Sequence, residues 1–174
     1  MRRFCVILGC LVVFSFALCA FAQDKPAKSA SNTDKQQIEA LLQRYSKAFN
    51  AKDVNGIMAN YAPGDQLFVF DLVPPRQYVG WDAYKKDFEG LFGAFPGPVS
   101  DSISDLDITV VGPVAYSHRI ESAEFTGKDG SKLNVVVRVT DVYRKMKGKW
   151  LIVQEHVSVP VDVMTGKADL LSKP

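Results

Sequence analysis

The feature that most constrains this chain is a change of hydrophobic period near its middle. Ile38, Leu41, Leu42, Tyr45, Ala48 and Phe49 recur at helical spacing, and so do Trp81, Tyr84, Phe88, Leu91 and Phe92. Such spacing gathers the apolar side chains on one stripe of an α-helix. Beyond Pro96 and Pro98, which close the second of these segments, apolar and polar residues alternate instead. Alternation marks strands that bury one face only. It predicts strands near 103–111, 114–125, 133–144 and 150–159, with turns at Gly112-Pro113, Lys128-Asp129-Gly130 and Lys147-Gly148.

The remaining signals fit around this frame. Thr33, with Gln36 three residues on, reads as the capped start of the first helix. Asp53 caps a shorter segment that buries Ile57, Met58 and Tyr61 and ends at Pro63-Gly64. Leu67 to Phe70 and Tyr78-Val79 are short extended pieces on either side of Pro74-Pro75. Helices first and an antiparallel meander afterwards specify an α+β domain. The expected architecture is a curved antiparallel sheet with the N-terminal helices packed over its concave face, forming a cone-shaped pocket suited to a small molecule.

Before this domain stands Met1-Arg2-Arg3, an apolar run from Phe4 to Phe21, and small residues at Ala20 and Ala22. That order is expected of a signal peptide over 1–22, cleaved near Ala22-Gln23, so the protein is expected to be exported, periplasmic or secreted. A lipoprotein is the lesser alternative, because Cys19 follows bulky Leu18 and Cys10 lies early in the apolar run. Residues 23–32 then form a flexible lead-in, 33–160 the domain and 161–174 a C-terminal tail. Cys5, Cys10 and Cys19 all leave with the leader, which excludes disulfides and thiolate chemistry from the mature chain. Losing Arg2 and Arg3 takes the formal charge from +2 to zero, so no patch suited to nucleic acid remains. No stable membrane insertion is expected after cleavage. About 150 residues make one domain that buries about 70% of its surface.

Three segments carry a resemblance. "RYSKAFNAKDVNGIMANYAPGDQLFVFD", "YVGWDAYKKDF" and "VTDVYRKMKGKWLI" resemble the nuclear transport factor 2-like superfamily, in its SnoaL-like and ketosteroid-isomerase-like branch, over about Asp34 to Val159. The resemblance implies that Tyr45 is a hydrogen-bond donor on the first helix, Asp71 a general base, and Asp141 a second, protonated donor. It implies cofactor-free isomerase-, cyclase- or dehydratase-type chemistry in a homodimer. The alternative is a non-catalytic homodimeric ligand-binding or assembly module of the same fold.

The residues support part of this on their own. Val135, Val137, Val139, Asp141 and Tyr143 share a strand face, and a carboxyl among valines is poorly solvated when ionised. Such an acid suits hydrogen-bond donation while a better-solvated Asp71 takes a proton. The plainer readings are Asp71 capping a strand end, Asp141 paired to Arg119 across the sheet, and Tyr45 as ordinary core. Tyr61, Trp81 and Phe88 are expected to line the pocket. His118, on a face with Val114, Tyr116 and Ile120, is a further candidate. In "QEHVS", Glu155 and His156 point to opposite faces of one strand. Pairing Tyr143 with Trp150 brings His156 to the pocket rim, and a shift of one residue brings Glu155 instead. His118 and His156 are too far apart in sequence to suggest a metal site, and no phosphate loop or nucleophile elbow occurs.

Overall fold

The computed structural model describes residues 27–172. Helix α1 spans Ala27–Asn50, α2 Val54–Met58 and α3 Trp81–Ala94. Strands β1 (Phe68–Phe70) and β2 (Tyr78–Val79) precede α3. Strands β3 (Val99–Val111), β4 (Val114–Thr126), β5 (Lys132–Met146) and β6 (Lys149–Ser158) follow it. The six strands form one sheet in the order β2-β1-β6-β5-β4-β3. The α+β class and the meander are as expected, with one correction. The short β1 runs parallel to β6, pairing Phe68 with Gln154 and Phe70 with His156, so the sheet is mixed rather than wholly antiparallel. The chain leaves β1 by a loop, not a hairpin onto β6, and nothing obliges the two to run in opposite directions.

Ile38, Leu41, Leu42, Tyr45 and Phe49 of α1 are all buried, as their spacing requires. The helix starts upstream of the expected cap, so residues 27–32 of the expected flexible lead-in are helical and Thr33 lies inside α1. The expected leader over 1–22 lies outside the described residues. Asn50 at the end of α1 accepts a hydrogen bond from the Asp101 amide (2.6 Å), which pins α1 to β3. Asp53 caps α2 by accepting from the Gly56 amide at 2.9 Å, and the Trp81 indole donates to the Met58 carbonyl at 2.9 Å. In the expected tail, β7 (Val161–Asp162) and β8 (Lys167–Ala168) form a small hairpin. The Leu170 carbonyl accepts from the Val136 amide at 2.7 Å, fastening this segment to β5.

The β5–β6 hairpin decides what faces the core. Lys147 (φ 49°) and Gly148 (φ 81°) form a two-residue turn with both φ positive, which pairs Met146 with Lys149 and Tyr143 with Ile152. The register then shifts: Val142 faces Gln154 and Asp141 faces Glu155. Val153 is the extra residue of a β-bulge. Trp150 and Ile152 are buried before it, Glu155 is buried after it, and His156 is exposed. Direct pairing of Tyr143 with Trp150 is therefore wrong. Even the correct turn, continued without the bulge, would carry His156 inward. The bulge reverses the alternation.

Candidate functional site

A cavity of about 200 Å³ lies between α1, α3 and the inner face of the sheet. Phe49, Phe88, Leu91, Phe125, Val135 and Val157 contribute apolar wall, and Tyr45, Asp71, Tyr84, Asp101, Glu121 and Glu155 contribute polar groups. Tyr84 and Phe88 come from the buried stripe of α3, Tyr45 and Phe49 from that of α1. Glu121 and Glu155 come from strand positions whose neighbours face outward.

Beneath the cavity a polar network crosses β4, β5 and β6. Arg119 is only 2% exposed. Its Nε donates to Glu121 Oε1 at 2.6 Å, its Nη1 donates to Asp141 Oδ2, and its Nη2 stands 3.9 Å from Glu155 Oε2. Asp141 Oδ2 also accepts from the Tyr143 hydroxyl at 2.7 Å, and Ser117 Oγ lies 2.8 Å from that hydroxyl. One guanidinium thus faces three carboxyls. Burial pushes Glu155 well above the usual carboxylate range, with the Asp141 charge adding to it and Arg119 opposing. Burial also raises Glu121, against the pull of Arg119, to about 7. Two carboxyls that share a cation with a third hold their protons more tightly than either would in water.

The second line of contacts runs toward the surface. The Tyr61 hydroxyl donates to Glu155 Oε2 at 2.9 Å. The Tyr84 hydroxyl lies 2.7 Å from Glu155 Oε1 and 3.1 Å from Asp71 Oδ2. Tyr84 has one hydroxyl proton and stands between two carboxyl oxygens. Both contacts are hydrogen bonds only when one of those carboxyls carries a proton. Burial favours the protonated form of both carboxyls, and more strongly that of Glu155. The Tyr84 hydroxyl can donate to Glu155 Oε1 or to Asp71 Oδ2, and so links the two carboxyls in a line that ends at the cavity. Burial raises Asp71 too, while the Leu72 amide and Tyr84 hydroxyl stabilise its charge.

Of the residues named from the sequence, Tyr45, Asp71 and Phe88 line the cavity together. Tyr61, expected in the pocket wall, is buried outside it and donates to Glu155. Asp141 is 0% exposed but lies below the cavity, where Oδ2 accepts from Arg119 and Tyr143 while Oδ1 is buried without a partner among the described residues. Trp81 is spent tying α3 to α2. His118 and His156 are exposed on the outer face, against the expectation that they reach the pocket. The reason for His118 is the phase of β4: Ala115, Ser117, Arg119 and Glu121 point inward, so Tyr116 and His118 point out. Among the described residues no group of three or more potential ligands is placed to hold a metal. Glu121, Tyr84 and Asp101 were not singled out from the sequence. The signal available for Glu121 was its place on the same face as Arg119, two residues away.

The SnoaL-like domain family matches residues 38–162. No curated protein matches the sequence. Among solved structures, an NTF2-like protein of unknown function from Pseudomonas putida KT2440 is 30% identical, with 83% of this chain and 99% of that one covered and a TM-score of 0.75. An NTF2-like superfamily protein from Salmonella enterica is 19% identical over 79% of this chain and 99% of its own, TM-score 0.69. A ketosteroid isomerase-like protein from Erwinia carotovora is 21% identical over 73% and 96%, TM-score 0.62. At these identities the last two speak for the fold alone. The cone of helices over a curved sheet, and the match across nearly all of it, make this chain a SnoaL-like member of the nuclear transport factor 2-like superfamily.

Proposed function

We propose that this protein binds a small, partly apolar molecule in the cavity and moves protons on it without a cofactor, in isomerase-, cyclase- or dehydratase-type chemistry. The observation that carries this reading is the line Asp71–Tyr84–Glu155, which puts a proton acceptor and a proton reservoir at one end of an apolar cavity. Asp71 is the base. Glu155 returns a proton through Tyr84 without itself meeting solvent. The apolar walls keep bulk water from competing for either step. Tyr45, which also lines the cavity, hydrogen-bonds the ligand.

The test is deuterium uptake from D2O into the enolisable position of small single-ring ketones, followed by NMR. Asp71→Asn is expected to slow uptake about 100-fold, the lower end of what a positioned base supplies. Equal uptake by wild type and variant would remove the proton-transfer reading.

A second reading, ligand capture without turnover in a homodimer, is favoured by the pairing of Asp141 to Arg119 and by the outer sheet face, which exposes Phe70 and Tyr116. In either reading we propose an exported protein. Edman sequencing of material recovered from the cell exterior or periplasm is expected to begin at Gln23, and a start at Met1 would refute export by cleavage.

A further inference from the structure

The cavity has a sign. Asp71, Asp87, Asp101, Glu121 and Glu155 line it, and among the described residues no lysine, arginine or histidine does. Arg119 offers a ligand nothing, because its nitrogens already face Glu121, Asp141 and Glu155 from below. Its one charge is matched against three carboxyls.

Two polar groups in the cavity wall are left without partners. Tyr45 is 5% exposed, and its hydroxyl makes no hydrogen bond among the described residues. Glu121 is 8% exposed, with Oε1 held by Arg119 Nε and Oε2 meeting no donor among the described residues. Both oxygens can be reached from the cavity, so a ligand's donor can meet them there; among the described residues the sealed side-chain oxygen without a partner is a different one, Asp141 Oδ1, below the cavity. Both side chains line the same cavity.

The rest of the wall is aromatic. Phe49, Phe88, Phe95 and Phe125 enclose the space, and the negative faces of such rings attract cations. An anion would meet carboxyls and ring faces with no cation to answer it. A neutral ligand can offer Glu121 Oε2 a hydroxyl or amide donor but no charge to set against the carboxylate. A cation satisfies the carboxylate, the hydroxyl and the rings together.

We propose that the cavity selects a small organic ammonium ion, with its N–H groups donating to Glu121 Oε2 and the Tyr45 oxygen and its hydrocarbon part against the phenylalanines. The volume sets the size: a cavity of about 150 Å³ holds one benzene ring, and this one is about 200 Å³. The ligand is therefore an amine with a single ring or a short branched chain. This deepens the reading of the cavity as a ligand site and rests on it. The amine end lies toward Glu121, leaving the carbon skeleton for the Asp71–Tyr84–Glu155 line.

The experiment is calorimetric titration of the purified protein with benzylamine, benzyl alcohol and benzoate, which share a ring and differ in charge. Benzylamine is expected to bind at least about tenfold more tightly than benzyl alcohol, with benzoate weakest. Affinity for the amine is expected to rise as pH is raised through 7, with protons released on binding, because Glu121 must ionise to receive it. Glu121→Gln is expected to bring benzylamine down to the level of benzyl alcohol. Should that variant misfold, proton release by the wild type in buffers of different ionisation enthalpy still tests the point. Benzyl alcohol or benzoate binding as tightly as benzylamine overturns the charge preference and leaves the ligand site standing. Binding of none of the three overturns this inference, while deuterium uptake by ketones judges the proton-transfer reading separately.

Discussion

Arg119→Met is expected to destabilise the protein by about 3–5 kcal/mol, the usual cost of removing one partner from a buried ion pair. Arg119 is the only cation that touches Glu121, Asp141 and Glu155 among the described residues. Its loss leaves three buried carboxyls to shed or retain protons as best they can. A domain has only about 5–15 kcal/mol to lose, so urea denaturation will register the change readily. The companion variant, Arg119→Met with Glu121→Gln and Asp141→Asn, is expected to recover most of the loss, since it removes the stranded charges along with their cation. A loss of less than about 1 kcal/mol in the single variant would mean the pair behaves like a solvated one, and the network described here would then be wrong.

The second large effect is a fall in stability as pH rises from about 4.5 to 7. Burial raises Glu121 from 4.5 to about 7 in the folded protein, despite Arg119 beside it, with Asp101 and Asp141 adding to the rise. Between those values the folded chain keeps a proton that the unfolded chain has released. The stabilisation is therefore complete below 4.5 and lost as pH climbs to 7, and the integrated loss is on the order of 3 kcal/mol. Glu155, also raised, works in the same direction. Asp34, which Lys145 and Trp150 hold below the usual range, works in the opposite direction, but only at more acidic pH. Urea midpoints measured from pH 4.5 to 8 are expected to decline in the wild type and to flatten in Glu121→Gln. A midpoint that rises with pH in both proteins would contradict the assignment.

These two effects sit on residues that the sequence disclosed unevenly. Helix α3 was legible because Tyr84 and Phe88 lie on an apolar stripe that no other structure would bury, yet Tyr84 then looked like core and nothing more. Its hydroxyl matters only because β1 and β6 deliver Asp71 and Glu155 to it, and those are tertiary facts. Strand β4 was legible as a strand, but not which face it buries. Val114, Tyr116, His118 and Ile120 make as good an inner face by hydropathy as Ala115, Ser117, Arg119 and Glu121 do. The polar set is inside because each of its charges finds a partner there, and partners on other strands leave no mark on hydropathy. Asp141 lies buried and paired to Arg119, the plainer of the readings its strand face allowed. What hydropathy could not show is how its two oxygens divide, with Oδ2 accepting from a guanidinium and a phenol and Oδ1 sealed without a partner among the described residues.

Val153 carries a different kind of lesson. It occupies no part of the cavity, yet it behaves like a frameshift within a folded strand: all that follows it is read from the other side. Insertion or loss of one residue at that point exchanges Glu155 for His156 at the heart of the site, a carboxyl for an imidazole, with every amino acid around them unchanged. In a sheet of this kind, interior chemistry can be rewritten by length as well as by substitution. Two relatives with the same letters in this strand, and one more or fewer between them, need not share a reaction.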